Sequence, residues 1–395
     1  MYARFTRPRN LAARLFALVS LSWLAACGGP AIVAPGANTG QRIDPGAPVQ
    51  VALLVPGGSV EGSDRLLAEN LENAARMAIA DLNGVDVDLR VYNTGAEPSQ
   101  AAAVASRAVD EGAKVILGPL FAESANAAGV AVAARNVNVL AFSNNPTIAG
   151  GNVFILGQTF ENTANRLVQY AVRNGTTRIG VVHGEDLGGQ VGRDAITSAI
   201  RRNGASVAGI ESYPLSQQGI LASASRIAAG INAAGADGVF LTGALGADLP
   251  IIATALPEAG INPVDTQYIG LTAWNTAPQA LALPGLQGGL FAMPDRAMKA
   301  SFDSRYASIY GSTPHPLAGL AYDGIAAIGA LAAQGNADAL TKSALTTPQG
   351  FQGTQGIFRL LPNGRNERGL AVATIRNNDV VVLEAAPRSF GGAGF

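Results

Sequence analysis

The stretch VQVALLV at residues 49–55, followed at once by Pro56, Gly57 and Gly58, decides the fold of this chain. An apolar run cut off by proline and glycine is typical of a strand that is buried on both faces, as strands of parallel sheets are. The next segment carries apolar residues at spacings of three and four, which share one helix face: Leu67, Leu71, Ala74, Ala78 and Leu82. The pattern predicts a β-strand followed by an α-helix.

The same alternation continues along the chain. Alternating strands and helices imply parallel sheets covered by helices on both faces, and two series of such units imply two lobes. We therefore predict an α/β fold of two doubly wound parallel-sheet lobes. Further strands are predicted at residues 85–92, 114–117, 137–142, 178–182, 207–212, 238–241, 267–271, 289–292, 356–361 and 370–383, the last one bent at 377–378, and a turn at 362–364. Helices are predicted at 99–110, 124–135, 162–173, 191–202, 222–234, 249–258, 297–310, 317–333 and 337–345.

The amino-terminal segment has the features of a secretory signal. Four arginines and no acidic residue precede an apolar run at 15–24, and small residues lead to Cys27. The apolar run is about half of the ~20 residues that a membrane-spanning helix needs. The segment resembles the lipobox of bacterial lipoproteins, which implies lipidation of Cys27 and removal of residues 1–26; a secreted protein with a chance cysteine is the alternative. Residues 27–48 are rich in Gly, Pro and Ala and predict a flexible tether, and residues 387–395 a disordered tail.

Composition excludes several classes of protein. Charged residues make up 14% of the chain and the net charge is −1, so nothing in the charge balance favours a nucleic-acid partner. With a single cysteine, the chain can form no internal disulfide and no cysteine metal site. Hydrophobic residues make up 48%, which suits a protein held together by its core alone.

Enzyme motifs are lacking in the sequence. No nucleophile elbow of the Gly-x-Ser-x-Gly type and no phosphate-binding loop with its lysine occurs. His183 and His315 are the two histidines, too few for a His-rich metal site. We predict a protein with no catalytic residues, no metal and no cofactor.

Ligand-binding candidates follow from sheet geometry, because ligands of open α/β sheets sit at the carboxyl ends of strands and at helix amino termini. Each candidate also has a structural interpretation: a turn with positive φ for the glycine, a polar turn for His183, a core residue for Trp274. In the first lobe the candidates are Gly58, Ser59, Glu123, Ser124, Ser143, Asn144, Asn145 and Tyr322, and in the second lobe His183, Thr242, Thr272 and Trp274.

From Val49 to Ala386 the chain resembles the type I periplasmic binding proteins of the leucine/isoleucine/valine-binding family. The residues that carry the resemblance lie at 66–83, 114–119, 138–145, 320–324, 353–358 and 368–372. The resemblance implies two lobes joined by a hinge, with crossings near 152–159, 293–297 and 348–356. It implies a first lobe of residues 49–158 with 297–350 and a second lobe of 159–296 with 351–386.

The resemblance also implies a function, a periplasmic receptor that binds an amino-acid-like solute between its lobes and presents it to an ABC permease. The family's two hydroxyl anchors for the ligand carboxylate fall on Ala122 or Glu123 and on the loop 143–147. Its acidic anchor falls near Thr272, and its closing tyrosine falls within 243–246, where no aromatic residue occurs. These departures argue against a simple branched-chain amino acid as the ligand.

The same region resembles the lipoprotein activators of penicillin-binding proteins, which implies a second hypothesis. In it, the protein regulates peptidoglycan synthesis by contacting a penicillin-binding protein, and its cleft is degenerate. Both hypotheses predict a periplasmic protein held at a membrane by the lipid on Cys27. Gly28, directly after the cysteine, favours the outer membrane over the inner one.

Overall fold

The computed structural model of the chain describes residues 38–391. The predicted signal segment 1–26, the lipidation of Cys27 and the first part of the predicted tether lie outside the described residues, as do the last four residues of the predicted tail. Among residues 38–391, no helix combines the length and the hydropathy needed to cross a bilayer.

Strands and helices alternate through most of the described chain. The strands are β1 (Val49–Val55), β2 (Val87–Asn93), β3 (Val115–Leu117), β4 (Asn138–Ala141), β5 (Val153–Ile155), β6 (Arg178–Gly184), β7 (Ser206–Tyr213), β8 (Gly238–Leu241), β9 (Gln267–Gly270), β10 (Leu290–Met293), β11 (Phe351–Gly353), β12 (Gly356–Leu360), β13 (Asn366–Arg368), β14 (Ala371–Arg376) and β15 (Asp379–Glu384). The helices are α1 (Gly62–Ala80), α2 (Pro98–Asp110), α3 (Ala122–Ala133), α4 (Phe160–Arg173), α5 (Leu187–Arg202), α6 (Gln217–Ala233), α7 (Leu249–Glu258), α8 (Pro278–Leu281), α9 (Arg296–Tyr310), α10 (Gly319–Ala332) and α11 (Lys342–Leu345).

The first lobe is built on a five-stranded parallel sheet in the order β2-β1-β3-β4-β5. Alternate residues of β1 enter different cores: Val51 and Leu53 pack with α1 and α10 on one face, while Ala52 and Leu54 pack with α2 and α3 on the other. Because both faces are covered, the strand has no polar side, which is why its sequence reads as an apolar run.

The second lobe is built on a seven-stranded sheet in the order β15-β14-β10-β9-β8-β6-β7. The strands from β6 to β10 are parallel, and β14 and β15 add an antiparallel edge. Val181 and Val182 again enter cores on opposite faces. The predicted two-lobed α/β class is confirmed.

The third sheet, β11-β12-β13, departs from the expected lobe boundaries. Phe351, Phe358 and Leu360 are buried in the core of the first lobe, next to α1 and α10. The expected second-lobe segment 351–386 is therefore divided, and the chain reaches the second lobe only at β14. The third crossing between lobes follows β13 instead of lying at 348–356, because β12 is held by aromatic packing on the first lobe. The other two crossings lie between β5 and α4 and between β10 and α9.

The described part of the predicted tether, residues 38–48, is packed against the first lobe. The carbonyl oxygen of Thr39 accepts hydrogen bonds from the Lys342 amide at 2.6 Å and from Asn138 Nδ2 at 3.1 Å. Ile43 is buried in the first-lobe core. The expectation of a flexible tether up to residue 48 is wrong for this part, because buried hydrogen bonds to the lobe hold it.

The carboxyl-terminal region shows further differences from the predicted elements. The predicted bent strand 370–383 is the hairpin β14–β15, turned by Asn377 and Asn378 with φ of 54° and 63°, the left-handed geometry of tight hairpin turns. The predicted helix 337–345 is reduced to α11. In the predicted tail, the Phe390 ring lies 4.6 Å from the guanidinium of Arg359. The predicted turn at 362–364 is present, but it joins β12 to the unpredicted strand β13, and not to the strand predicted at 370–383.

Candidate ligand cleft between the lobes

A cavity of about 860 Å³, called the cleft below, lies where the two lobes and the chain crossings meet. The first lobe supplies the loops after β3 and β4 and the segments around α9 and α10, and the second lobe supplies the loop after β9. The lining residues used below are Leu120, Phe121, Ala122, Phe142, Ser143, Asn144, Asn145, Asn275, Met293, Arg296, Lys299, Asp303, Leu317, Leu320 and Arg368.

The loop after β4 brings polar groups to the cleft. Ser143 is almost fully buried, and its Oγ accepts a hydrogen bond from the Asn145 amide at 3.1 Å. Asn145 Oδ1 accepts from the Thr147 amide at 3.0 Å, while the side chain of Asn144 is exposed. The loop is therefore fixed by its own hydrogen bonds, and the side chain of Asn144 is free to meet a ligand.

The amino terminus of α3 also faces the cleft, through Leu120, Phe121 and Ala122. Phe121 is the residue that precedes the helix, and among residues 38–391 no side chain accepts a hydrogen bond from the amides of the first turn. Free amides and the helix dipole make such an end favourable for a negatively charged group.

Helix α9 supplies the charged side of the cleft. Asp295 precedes the helix and accepts hydrogen bonds from the amides of Ala297 and Met298, both at 3.0 Å. Lys299 is paired with Asp303 at 2.5 Å. The exposed Arg296 has no ion-pair partner within 4 Å among residues 38–391, so its charge is available to a ligand.

The second lobe closes the opposite side with the loop 273–276. Asn275 Oδ1 is buried and has no hydrogen-bond partner among the described residues. Buried polar atoms in native proteins are usually paired, so this acceptor suits a donor from a ligand or a water molecule.

The structure brings three of the predicted site residues together in the cleft, Ser143, Asn144 and Asn145. Whether they bind a ligand remains a prediction. The other first-lobe candidates lie outside the cleft lining. Ser59 Oγ donates to Asp64 at 2.8 Å and accepts from the Glu61 amide, so Ser59 organises the start of α1 beside Gly58.

Two more first-lobe candidates follow the cleft-lining Ala122. Glu123 is exposed on α3, and Ser124 is completely buried with its hydroxyl 3.5 Å from the Ala96 carbonyl oxygen. Their side chains are therefore on other faces of α3, and Glu123 does not place a negative charge in the cleft lining.

Tyr322 belongs to a hydrogen-bonded cluster with Asp81 and Arg305 on the first lobe. Its hydroxyl donates to Asp81 at 2.6 Å, and Arg305 donates to the other oxygen of Asp81 at 2.6 Å. Burial, with the hydrogen bond to Asp81, raises the pKa of Tyr322 to about 12. The side chain is committed to this cluster instead of the cleft.

The second-lobe candidates are divided between the core and a separate cavity. Thr242, Thr272 and Asp248 line a second-lobe cavity of about 510 Å³. Asp248 accepts a hydrogen bond from the Tyr213 hydroxyl at 2.6 Å, and burial together with this bond raises the pKa of Tyr213. His183 is buried, with Nδ1 2.7 Å from the Gly184 carbonyl oxygen.

Trp274 is a core residue and not a wall of the cleft. Its side chain is completely buried, and its ring centroid lies 5.7 Å from that of Phe291. The aromatic ring points away from the cleft because Gly270 and Gly289 leave room for it under the sheet. Of the two interpretations given for Trp274, ligand binding and core packing, the structure agrees with core packing.

Further cleft-lining residues, not indicated by the sequence patterns, lie on α9 and at the crossings, namely Arg296, Lys299, Asp303, Gln355 and Arg368. One feature of the sequence pointed to α9: Asp295, a favoured residue at a helix start, lies next to the expected crossing 293–297. Among residues 38–391, no group of three or more His, Cys, Asp or Glu side chains is arranged to hold a metal ion.

Two doubly wound lobes with a cleft between them define a two-lobed binding protein of the type I class. Residues 48–379 match the family model for periplasmic binding proteins, and the chain belongs to that family. The fold is shared with a candidate branched-chain amino acid ABC transporter protein from Rhodospirillum rubrum (TM-score 0.70, 18% identity, covering 85% of this chain and 100% of the other). It is also shared with an ABC transporter substrate-binding protein from Desulfitobacterium hafniense in complex with leucine (TM-score 0.60, 18% identity, 85% and 100% coverage).

One curated relative matches in part. It is an uncharacterized protein of Rickettsia prowazekii, 22% identical over 122 residues, which are 31% of this chain. The chain spans about a third of that relative, 32% of its length.

Proposed function

We propose that this protein is a solute receptor that binds a small molecule between its lobes and presents it to an ABC permease. The observation that carries the proposal is the cleft of about 860 Å³, lined from both lobes and from the crossings. A ligand held by both lobes stabilises the closed arrangement through its contacts with each, which is how binding can be coupled to recognition by a transporter.

The chemistry of the cleft favours a solute with an apolar body and a carboxylate. Phe142, Met293, Leu317 and Leu320 offer apolar surface. Arg296 and the uncapped amides of α3 offer positive charge for the carboxylate. This is an amino-acid-like class of ligand, and the leucine-bound protein from Desulfitobacterium hafniense has the same fold.

A ligand screen tests the proposal. The purified protein is heated with single amino acids and small aliphatic or aromatic carboxylates, because a compound that binds the native state raises its melting temperature. For the best compound, Arg296→Met should weaken binding about tenfold or more, as loss of a charge-assisted hydrogen bond does. Arg376→Met is the matched control, since Arg376 is exposed at the end of β14 and does not line the cleft. No shift with any compound would contradict the proposal.

Membrane attachment through a lipid on Cys27 belongs to the same proposal. Residues 38–43 are bound near the start of β4, the amino edge of the first-lobe sheet, whereas the cleft is at the carboxyl edge. A tether joined to that edge meets the first lobe at the end opposite the cleft. Cys27→Ser should move the protein from the membrane fraction to the soluble periplasmic fraction, and attachment that persists would contradict lipidation.

Exposed apolar residues near the carboxyl edges of both sheets provide positions at which a protein partner can be sought. Val60 is 90% exposed before α1, and Leu187 is 77% exposed at the start of α5. Each is a single side chain and not a patch, so the assignment of the permease as the partner rests on the family to which the chain belongs. A photocrosslinker at position 187 should capture a membrane permease in cells. Capture of a penicillin-binding protein instead would establish the alternative function in peptidoglycan synthesis.

A further inference from the structure

A second polar cavity, of about 340 Å³, lies beside the crossings and is called the arginine pocket below. One wall consists of α4 and the end of α5 from the second lobe. The other wall is the β12–β13 hairpin, which is packed on the first lobe through β12. Its lining residues are Glu161, Asn162, Asn165, Arg166, Gln169, Arg202, Asn203, Arg359, Leu361, Asn363, Arg365, Asn366, Glu367 and Arg368.

The charges of the arginine pocket are unbalanced. Its two carboxylates are already paired: Glu161 with Arg365 at 2.8 Å and Glu367 with Arg359 at 2.5 Å. Arg202 donates a hydrogen bond at 3.0 Å to Oδ1 of Asn165, which carries no charge. Among residues 38–391, Arg202 forms no ion pair with an acidic side chain within 4 Å. An excess positive charge in a concave site attracts anions.

Two residues that line the pocket each have a buried side-chain atom without a hydrogen-bond partner among the described residues. Arg166 is 4% exposed; its Nε donates to the Leu370 carbonyl oxygen at 2.7 Å and its Nη2 to Glu384 at 2.9 Å, but Nη1 has no acceptor. Asn366 is 5% exposed; its Nδ2 donates to the Gly157 carbonyl oxygen at 2.9 Å, but Oδ1 has no donor. Native proteins rarely leave such atoms unpaired.

These two atoms specify the chemistry of an occupant. Nη1 of Arg166 needs an acceptor oxygen, and a negatively charged oxygen gives the stronger bond. Oδ1 of Asn366 needs a donor, which a fully deprotonated oxyanion cannot supply. The occupant must therefore carry both an anionic oxygen and a hydroxyl group.

We propose that the arginine pocket is an anion site for a phosphate group, either inorganic phosphate or a small phosphate monoester that carries a hydroxyl group on its organic part. Near neutral pH inorganic phosphate keeps a P–OH group, which can donate to Asn366 while its other oxygens accept from Arg166 and Arg202. Sulfate has the same shape and no proton at this pH, so it would leave Asn366 Oδ1 unpaired. The pocket is distinct from the cleft, although Arg368 contributes to the lining of both.

Calorimetric titration at fixed ionic strength tests the proposal, with inorganic phosphate, glycerol 3-phosphate and sulfate as probes. Phosphate should bind at least about tenfold more tightly than sulfate. Arg202→Gln should weaken phosphate binding by a similar factor, since it removes the charge but keeps a group that can bond to Asn165. Arg201→Gln is the matched control, because Arg201 is the exposed neighbour on α5 that does not line the pocket.

The outcomes separate this site from the cleft. Phosphate binding that is lost in Arg296→Met and kept in Arg202→Gln would place the anion in the cleft and overturn the proposal. Equal binding of phosphate and sulfate, or no binding of phosphate, would also overturn it.

Phosphatidylcholine vesicles with and without phosphatidic acid distinguish the source of the phosphate. Cosedimentation with the acidic vesicles that Arg202→Gln abolishes assigns a lipid headgroup, and free phosphate binding without cosedimentation assigns a solute. Failure of the amino-acid screen above would leave this result unaffected.

Discussion

The guanidinium of Arg368 donates from Nη1 to Oδ2 of Asp323 across 3.4 Å, and both side chains are almost completely buried where the chain passes between the lobes. Asp323, on α10, also accepts a hydrogen bond from the Thr354 amide at 2.6 Å. Arg368 donates from Nε to the Leu156 carbonyl oxygen at 3.0 Å. The pair thus ties α10, the end of β5 and the end of β13 together next to the crossings.

Removing one member of this pair should destabilise the protein strongly. Asp323→Ala leaves the Arg368 charge buried without its partner, which typically costs about 3–5 kcal/mol. The free energy of unfolding in urea measures the loss. Asp338→Ala is the control, because Asp338 pairs with Arg42 at 3.0 Å on the surface, with 54% and 74% of their side chains exposed, and such pairs contribute about 0–1 kcal/mol. Similar losses in the two variants would contradict the structural role assigned to Asp323.

The cluster around Asp81 should make stability depend on pH in the acid range. Burial acts to raise the pKa of Asp81, but the hydrogen bonds from Arg305 and Tyr322 and the charge of Arg305 outweigh it, so the pKa lies below its usual value of 3.8. A carboxyl whose pKa is lowered by folding stabilises the native state above its unfolded pKa and loses that contribution as the pH falls through its folded pKa. Asp81→Asn should therefore lower the unfolding free energy at pH 7 and have little effect near pH 2.

Urea unfolding of the native protein and the Asp81→Asn variant at several pH values checks this dependence. In an Arg305→Met background, the loss of unfolding free energy that Asp81→Asn causes at pH 7 should shrink, because one source of the lowered pKa is gone. A loss that stays constant from pH 7 to pH 2 would show that Asp81 acts by packing alone.

The sequence predicts the two sheets well because each buried strand is covered on both faces. Leu53 and Leu54 pack into opposite cores, so the apolar run of β1 and its proline–glycine ending mark a parallel strand without any knowledge of the partners. The position of the loop at 143–145 is predictable for a different reason, since it follows the carboxyl end of β4, the edge of the sheet at which the cleft lies.

Features that depend on distant parts of the chain are not predictable in this way. Residues 38–48 read as a flexible segment, but Asn138 and Lys342, far along the chain, fix Thr39. The pattern of Phe351 and Phe358 indicates strands and gives no sign of which lobe they pack on. Arg296 reads as an ordinary helix residue until the crossing after β10 places it at the cleft.

The packing of Trp274 yields the last prediction, because two glycines leave the space for its ring. A Cβ atom on Gly270 would lie 2.3 Å from Trp274 Cε2, and one on Gly289 would lie 2.6 Å from Cζ3. Gly270→Ala should therefore cost about 1–3 kcal/mol of unfolding free energy by overpacking the core. Gly246→Ala is the control, since a Cβ there meets no atom within 4 Å.

A double-mutant cycle identifies the cause of that loss. In a Trp274→Leu background the clash is removed, so the additional cost of Gly270→Ala should fall well below its cost in the native protein. Trp274→Leu alone is expected to destabilise the second lobe because it leaves a cavity next to Phe291. If Gly270→Ala costs the same with and without the indole ring, the glycine is required for the backbone of β9 and not for the packing of Trp274.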